Sequence, residues 1–98
     1  MQKEGRLKLD RLYELLSYNP YTGEFTWISS PRNKNIAGKK AGTINGCGYI
    51  QVQIDGHRYL AHRLAWFYMY GKWPSKQIDH LSRVRTDNRI CNLRDVDR

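Results

Sequence analysis

The stretch that most constrains this chain is "YIQVQIDGHRYLAH", residues 49–62. Ile50, Val52 and Ile54 alternate with Gln51, Gln53 and Asp55. That period of two predicts a half-buried strand. Asp55-Gly56 is a type I′ hairpin signal, because both central residues of that turn need positive φ. "HRYLA" then returns as the partner strand. In "HRLAWFYMYGKWP", Leu64, Ala65, Trp66, Phe67, Tyr68, Met69 and Tyr70 predict an apolar helix that stops at Gly71 and Pro74. A strand pair feeding a helix this rich in aromatics commits the chain to a mixed α and β core. The rings are expected to fill that core rather than to form a base-stacking platform.

The flanks add smaller elements. Leu7, Leu9, Leu12, Leu15 and Leu16 stand near helical spacing in "LKLDRLYELLSY", which predicts an amphipathic helix ended by "NPYTG". "EFTWI" predicts a strand with Phe25 and Trp27 on one face. "SSPRNKN" reads as a mobile polar loop. "AGKKAGTINGCG" reads as turns between short strands, with Lys39 and Lys40 on the surface; it lacks the residue order of a nucleotide-binding loop. "KQIDHL" and "NLRDV" predict two more short strands. His57 is expected to be an exposed hairpin residue.

Ninety-eight residues allow one small domain. We divide it into 1–56, an N-terminal helix plus strands, and 57–98, the return strand, the helix and a terminal ribbon. The formal net charge is +8. Residues 1–56 carry eight Lys/Arg against five Asp/Glu, and residues 57–98 carry nine against four, so positive charge is denser in the second part. Such a balance suits a polyanion, either nucleic acid or an anionic membrane surface, with a basic protein lacking such a partner as the plain alternative. No apolar run reaches the length of a membrane span and no signal-peptide pattern opens the chain, so a cytoplasmic location is expected. Cys47 and Cys91 are expected to be reduced, part-buried thiols. Together with His57 and His62 they contain zinc-type donors, but at spacings that match no usual ligand pairs.

The chemistry concentrates in "IDHLSRVRTDNRICNLRDVDR", residues 78–98. Asp79 and His80 would face opposite ways on a regular strand, yet both can reach one cavity where a strand turns into a loop. A carboxylate is a good oxygen ligand for Mg²⁺, and a neutral imidazole takes a proton from water near neutral pH. Metal plus base is a minimal kit for phosphodiester hydrolysis. An isolated Asp-His pair is weak evidence; the string that follows it strengthens the reading.

"DHLSRVRTDNRICNLRDV" resembles the core of the HNH endonucleases, in particular the phage and intron-associated, homing-type group with the pattern DH-loop-DNR-xx-NLR. "YLAHRLAWFYMYGKWP" and "LSYNPYTGEFTW" resemble the segments that precede that core, so the resemblance covers nearly the whole chain. It implies a ββα-metal finger: a two-stranded ribbon and a helix around one divalent ion. On that resemblance Asp79 is a metal ligand and His80 the general base. Asn92 is the central Asn that pins the loop and orients the imidazole. Asn88 competes for loop bracing, although Asp87-Asn88 is also good turn chemistry. Arg83, Arg85, Arg89, Arg94 and Arg63 would face double-stranded DNA, and His62 would support the site from behind, with a structural cap or buried hydrogen bond as its plain alternative. Ser82 stands where relatives often have Asn or Asp. The cofactor implied is Mg²⁺, with Mn²⁺, Ni²⁺ or Zn²⁺ as alternatives. The family's third motif residue, a His or Asn on the finger's helix, would fall beyond Arg98, so the ribbon is expected to be incomplete and its hold on metal weakened.

The sequence thus predicts an α+β domain: short antiparallel hairpins, an N-terminal helix, a central aromatic helix and a C-terminal ribbon. Its expected activity is metal-dependent DNA cleavage. The alternatives are a DNA-binding module derived from such a nuclease and catalytically impaired, or a protein that binds a host protein through its charge.

Overall fold

The computed structural model describes residues 6–30 and 34–96. Its elements run α1 Leu9–Leu15, β1 Leu16–Asn19, β2 Glu24–Trp27, a 3₁₀ turn Lys34–Ile36, β3 Lys40–Ala41 and β4 Thr43–Ile44. There follow β5 Ile50–Ile54, β6 His57–Leu60, α2 Ala61–Tyr70, β7 Gln77–His80, a 3₁₀ turn Ile90–Asn92 and β8 Leu93–Val96. Three antiparallel sheets result, β1-β2-β3, β4-β5-β6 and β7-β8, so the α+β expectation is met.

The hairpin predicted from alternation forms as expected. Val52 pairs with Tyr59 and Ile54 with His57. Asp55 and Gly56 take φ of 52° and 84°, the left-handed pair that a type I′ turn demands. Val52, Ile54 and Tyr59 are buried, and Gln53 is exposed. His57 is half-buried rather than exposed, with Arg6 Nη1 3.3 Å from its Nε2.

The α2 helix starts at Leu60 without a side-chain cap and ends at Gly71, whose N–H reaches the Phe67 carbonyl at 2.8 Å. Its hold is therefore burial, not capping: Ala61, His62, Leu64, Ala65 and Phe67 face inward. Trp73 stacks on Phe67 with ring centroids 4.2 Å apart, and Tyr59 lies 6.1 Å from it. Most of the aromatic density thus joins the core, although Met69 and Tyr70 stay exposed.

The first helix is shorter than its leucine spacing suggests. It stops at Leu15 because Leu16 turns extended and starts β1, pairing with Trp27 while Tyr18 pairs with Phe25. Leu16 and Tyr18 are buried, and Ser17 and Asn19 are exposed, which is strand alternation. "NPYTG" is consequently the loop of the β1-β2 hairpin, not the end of a helix. Asn19 Oδ1 shapes it by accepting from the N–H groups of Tyr21 and Thr22 at 2.9 and 3.4 Å. Phe25 is buried, and Trp27, on the same face, is partly so. Part of the loop read as mobile, residues 31–33, lies outside the described residues; residues 34–36 form the 3₁₀ turn.

The terminal ribbon joins Ile78 to Asp95, Asp79 to Arg94 and His80 to Leu93. Asp95 ties its open end down by accepting from Ser75 N–H (2.9 Å), Ser75 Oγ–H (3.0 Å) and Lys76 N–H (3.0 Å). Burial opposes the charge on Asp95, but these donors outweigh it and hold its pKa below the ordinary carboxylate value. No helix among the described residues is long and apolar enough to cross a membrane.

Candidate active site

His80 ends β7, and the chain then makes the loop 81–92 before β8. This loop has no regular structure except the closing 3₁₀ turn, so its backbone groups need other partners. Asn92 supplies two of them. Its Oδ1 accepts from Ser82 N–H at 2.8 Å, and its Nδ2 donates to the Asp87 carbonyl at 2.8 Å. Its own carbonyl accepts from Leu81 N–H at 2.8 Å. One buried side chain thereby ties the start of the loop to its middle. Asn92→Ala is expected to strand both backbone groups and lower stability by about 2–4 kcal/mol, read as a shift of the urea midpoint.

The imidazole is oriented by a different residue. His80 Nε2 lies 2.9 Å from Asn88 Oδ1, and Asn88 is only 1 % exposed. Asn92 pins the loop as the resemblance implies, but the bond to the imidazole that the resemblance gives to Asn92 is made by Asn88, which does more than shape a turn. An amide oxygen only accepts, so this bond requires the hydrogen on Nε2 and leaves the lone pair of the neutral ring on Nδ1. A second ring closes on His80 from α2: His62 lies edge to face with it, ring centroids 4.9 Å apart, and Tyr49 lies 5.2 Å from His62 and 6.0 Å from His80. His62 Nδ1 and Asn88 Nδ2 are both buried without a hydrogen-bond partner. Burial, with help from the charges of His80 and Arg63, pushes the His62 pKa down to about 3. At ordinary pH His62 therefore presents a neutral ring to His80.

Asp79 and His80 open on one polar cavity of about 630 Å³, lined also by Tyr49, Arg83, Arg85 and Arg94. The arginines divide by partner. Arg94, directly across the ribbon from Asp79, reaches its Oδ2 at 3.2 Å. Arg85 donates to the Cys47 carbonyl, and its guanidinium lies 5.1 Å above the Tyr49 ring. Arg83 adopts a positive φ of 65° and donates its N–H to the His80 carbonyl at 2.9 Å; its side chain lines the cavity. Arg89 is turned to Asp87 through two bonds of 2.8 Å. Those bonds hold the Asp87 carboxyl below its ordinary range. Arg63 spends its guanidinium on the carbonyls of Lys76 (2.9 Å) and Pro74 (3.2 Å), bracing the turn before β7, and it does not line the cavity.

Cys47 and Cys91 are free and exposed rather than part-buried, since each sits in a surface turn. Among the described residues no group of three or more His, Cys, Asp or Glu comes together as a metal cage. Tyr49 was read only as the start of a strand. Nothing in the local pattern marks it, because its place beside His62 and His80 depends on how the second sheet packs.

Fold and site together define a small α+β domain whose two-stranded ribbon carries an acid and an imidazole at the end of one strand and is closed by an asparagine-pinned loop. Residues 59–98 match the family model described as HNH endonuclease. The solved structure described as "DNA binding and cleavage by the HNH homing endonuclease I-HmuI" is similar, with a TM-score of 0.64 and 22% identity, over 92% of this chain and 51% of that one. This chain therefore spans about half the length of that structure. No curated protein matches. The match to the family model lies within residues 59–98, and the likeness to the solved structure shows a shared fold.

Proposed function

We propose that this chain is an HNH-type DNA endonuclease domain that hydrolyses phosphodiester bonds of duplex DNA. The observation that carries the reading is His80, buried and bonded through Nε2, beside Asp79 in an arginine-lined cavity. With Nε2–H engaged, Nδ1 accepts a proton from a water molecule, and the resulting hydroxide attacks phosphorus as the 3′-oxygen leaves. Arg83, Arg85 and Arg94 line the same cavity and would face the phosphate charge.

The donor set fits a shared ion better than a protein cage. Asp79 brings one carboxylate to the cavity, and Mg²⁺ is commonly held by one or two carboxylates together with substrate phosphate oxygens. Asp79 would hold such an ion, which when bound supplies charge neutralisation at the phosphate and the leaving oxygen. The Arg94 partner of Asp79 favours a second reading, a catalytically impaired module that binds DNA, because the carboxylate is already neutralised in part.

Incubating the 98-residue chain with supercoiled plasmid and Mg²⁺ separates the two. Nicking that stops on chelation is expected. Salt-sensitive binding without nicking, under Mg²⁺ or Mn²⁺, would support the impaired module, and no binding at low salt would remove both. Arg83→Ala is expected to weaken plasmid binding and to reduce the slope of log affinity against log salt by about 1. A slope equal to that of the parent would place Arg83 away from phosphate.

A further inference from the structure

The N-terminal hairpin reaches the site from the far side of Asn88. Tyr18, buried in β1, donates its hydroxyl hydrogen to the Asn88 carbonyl. Its ring is held by Phe25 and Tyr68, with centroids 4.8 and 5.7 Å away, so the hydroxyl has little freedom to leave. Burial also raises the phenol pKa well above its ordinary range, which keeps that donor protonated. Gly23, in the loop of the same hairpin, lies against the Asn88–Arg89 peptide. A Cβ there would stand 2.4 Å from Asn88 C and 2.4 Å from Arg89 N, and the glycine has φ of 78°. Both contacts fall on the peptide bond that joins Asn88, whose side chain bonds the imidazole, to Arg89.

We propose that Tyr18 and Gly23 are positioning residues for His80: the β1-β2 hairpin sets the Asn88 backbone, and Asn88 in turn sets the imidazole's tautomer and direction. The assignment has a physical reason. Asn88 lies within the loop 81–92, in its part without regular structure, and its Nδ2 has no partner to fix the amide from its other side. Within the loop Asn92 holds the neighbouring Asp87 carbonyl, and the hairpin adds a hydrogen bond and a steric floor at Asn88 itself. Hydrogen-bond direction is sharp, so a small displacement of Asn88 Oδ1 loosens the hold on Nε2–H. This role for the hairpin rests on the nuclease reading for its catalytic consequence, but not for the state of the imidazole.

The test uses Tyr18→Phe, which keeps the ring and deletes the hydroxyl, with Gly23→Ala as the steric counterpart. Long-range ¹H–¹⁵N imidazole spectra of the ¹⁵N-labelled full chain report the tautomer of His80, assigned by its loss in His80→Gln. The parent is expected to show the Nε2–H form, and Tyr18→Phe a mixture of tautomers. Mg²⁺-dependent plasmid nicking by Tyr18→Phe is expected to fall about tenfold at unchanged plasmid affinity. If Tyr18→Phe keeps the parent's His80 spectrum, the proposal is overturned, whether or not Gly23→Ala folds. If the parent itself does not nick, the nuclease reading fails separately, and the spectra still decide the role of the hairpin.

Discussion

His80→Ala is expected to lower Mg²⁺-dependent nicking by about 10²–10⁴-fold while plasmid affinity stays close to that of the parent. The split follows from what the side chain touches. His80 is buried, its Nε2 is bonded to Asn88, and it faces phosphate only through the cavity it shares with Asp79. It carries no charge that binding needs, whereas the arginines around the cavity do. Removing it takes away the acceptor for the water proton and leaves those arginines in place. Asn88→Ala should give a smaller loss in the same direction, because the ring remains but its tautomer is no longer selected. Equal nicking by the parent and His80→Ala would remove the general-base role and, with it, the mechanism.

The second large effect is on folding. Acid is expected to destabilise this domain well before its carboxylates protonate, because of His62. The unfolded chain takes up a proton at this residue near pH 6.5, and the folded chain only near pH 3. Between those values the unfolded state binds more protons, so stability is full above about pH 6.5 and falls as the pH drops towards 3. The slope approaches about 1.4 kcal/mol per pH unit. In the folded state Asp87 and Asp95 are also held below the ordinary carboxylate value, so their contributions are lost only below about pH 4. The window from pH 6.5 to 4.5 therefore isolates His62, and a loss of about 2 kcal/mol is expected across it. Urea unfolding at a series of pH values reads this directly. His62→Phe keeps a ring against Tyr49 and His80 but cannot charge, so its stability should stay flatter across the window. Parallel profiles for the two proteins would show that His62 takes its proton in the folded state.

The two effects meet at one contact. His62 sits edge to face with His80, and burial keeps it neutral. In the proposed mechanism His80 gains a positive charge when it accepts a proton, and a cation at His62 would oppose it. The contact thus places a ring that stays neutral behind the ring proposed to change charge.

How much of this could be read from the residues varies with the range of the interaction. The β5-β6 hairpin was fully legible, since Asp55-Gly56 and the alternation of Ile50, Val52 and Ile54 act over neighbours only. The stop at Gly71 was legible for the same reason. Leu16 to Asn19 was misread because Leu16 satisfies both a helical and an alternating pattern, and pairing with β2 selected the strand. Loop pinning by Asn92 was legible, but the imidazole's partner was not, because it depends on the route of the loop 81–92. The sequence shows two amides near a histidine; only the folded loop shows Asn92 reaching Ser82 and Asp87 and leaving Asn88 to the imidazole. The arginines looked alike in the string and differ in the fold, where Arg63 bonds two carbonyls, Arg89 bonds Asp87, and Arg83, Arg85 and Arg94 line the cavity.

By itself the sequence determined the elements whose signals are local and the kind of chemistry present: a hairpin, an aromatic helix, an acid beside an imidazole, and an excess of positive charge. Tertiary structure decided which amide holds the ring, which arginines line the cavity, and that Tyr18 and Gly23 lie against Asn88. The physical reason is one of distance. Turn and strand preferences are set by a residue and its neighbours, whereas a hydrogen bond between residues seventy positions apart exists only once the core has brought them together.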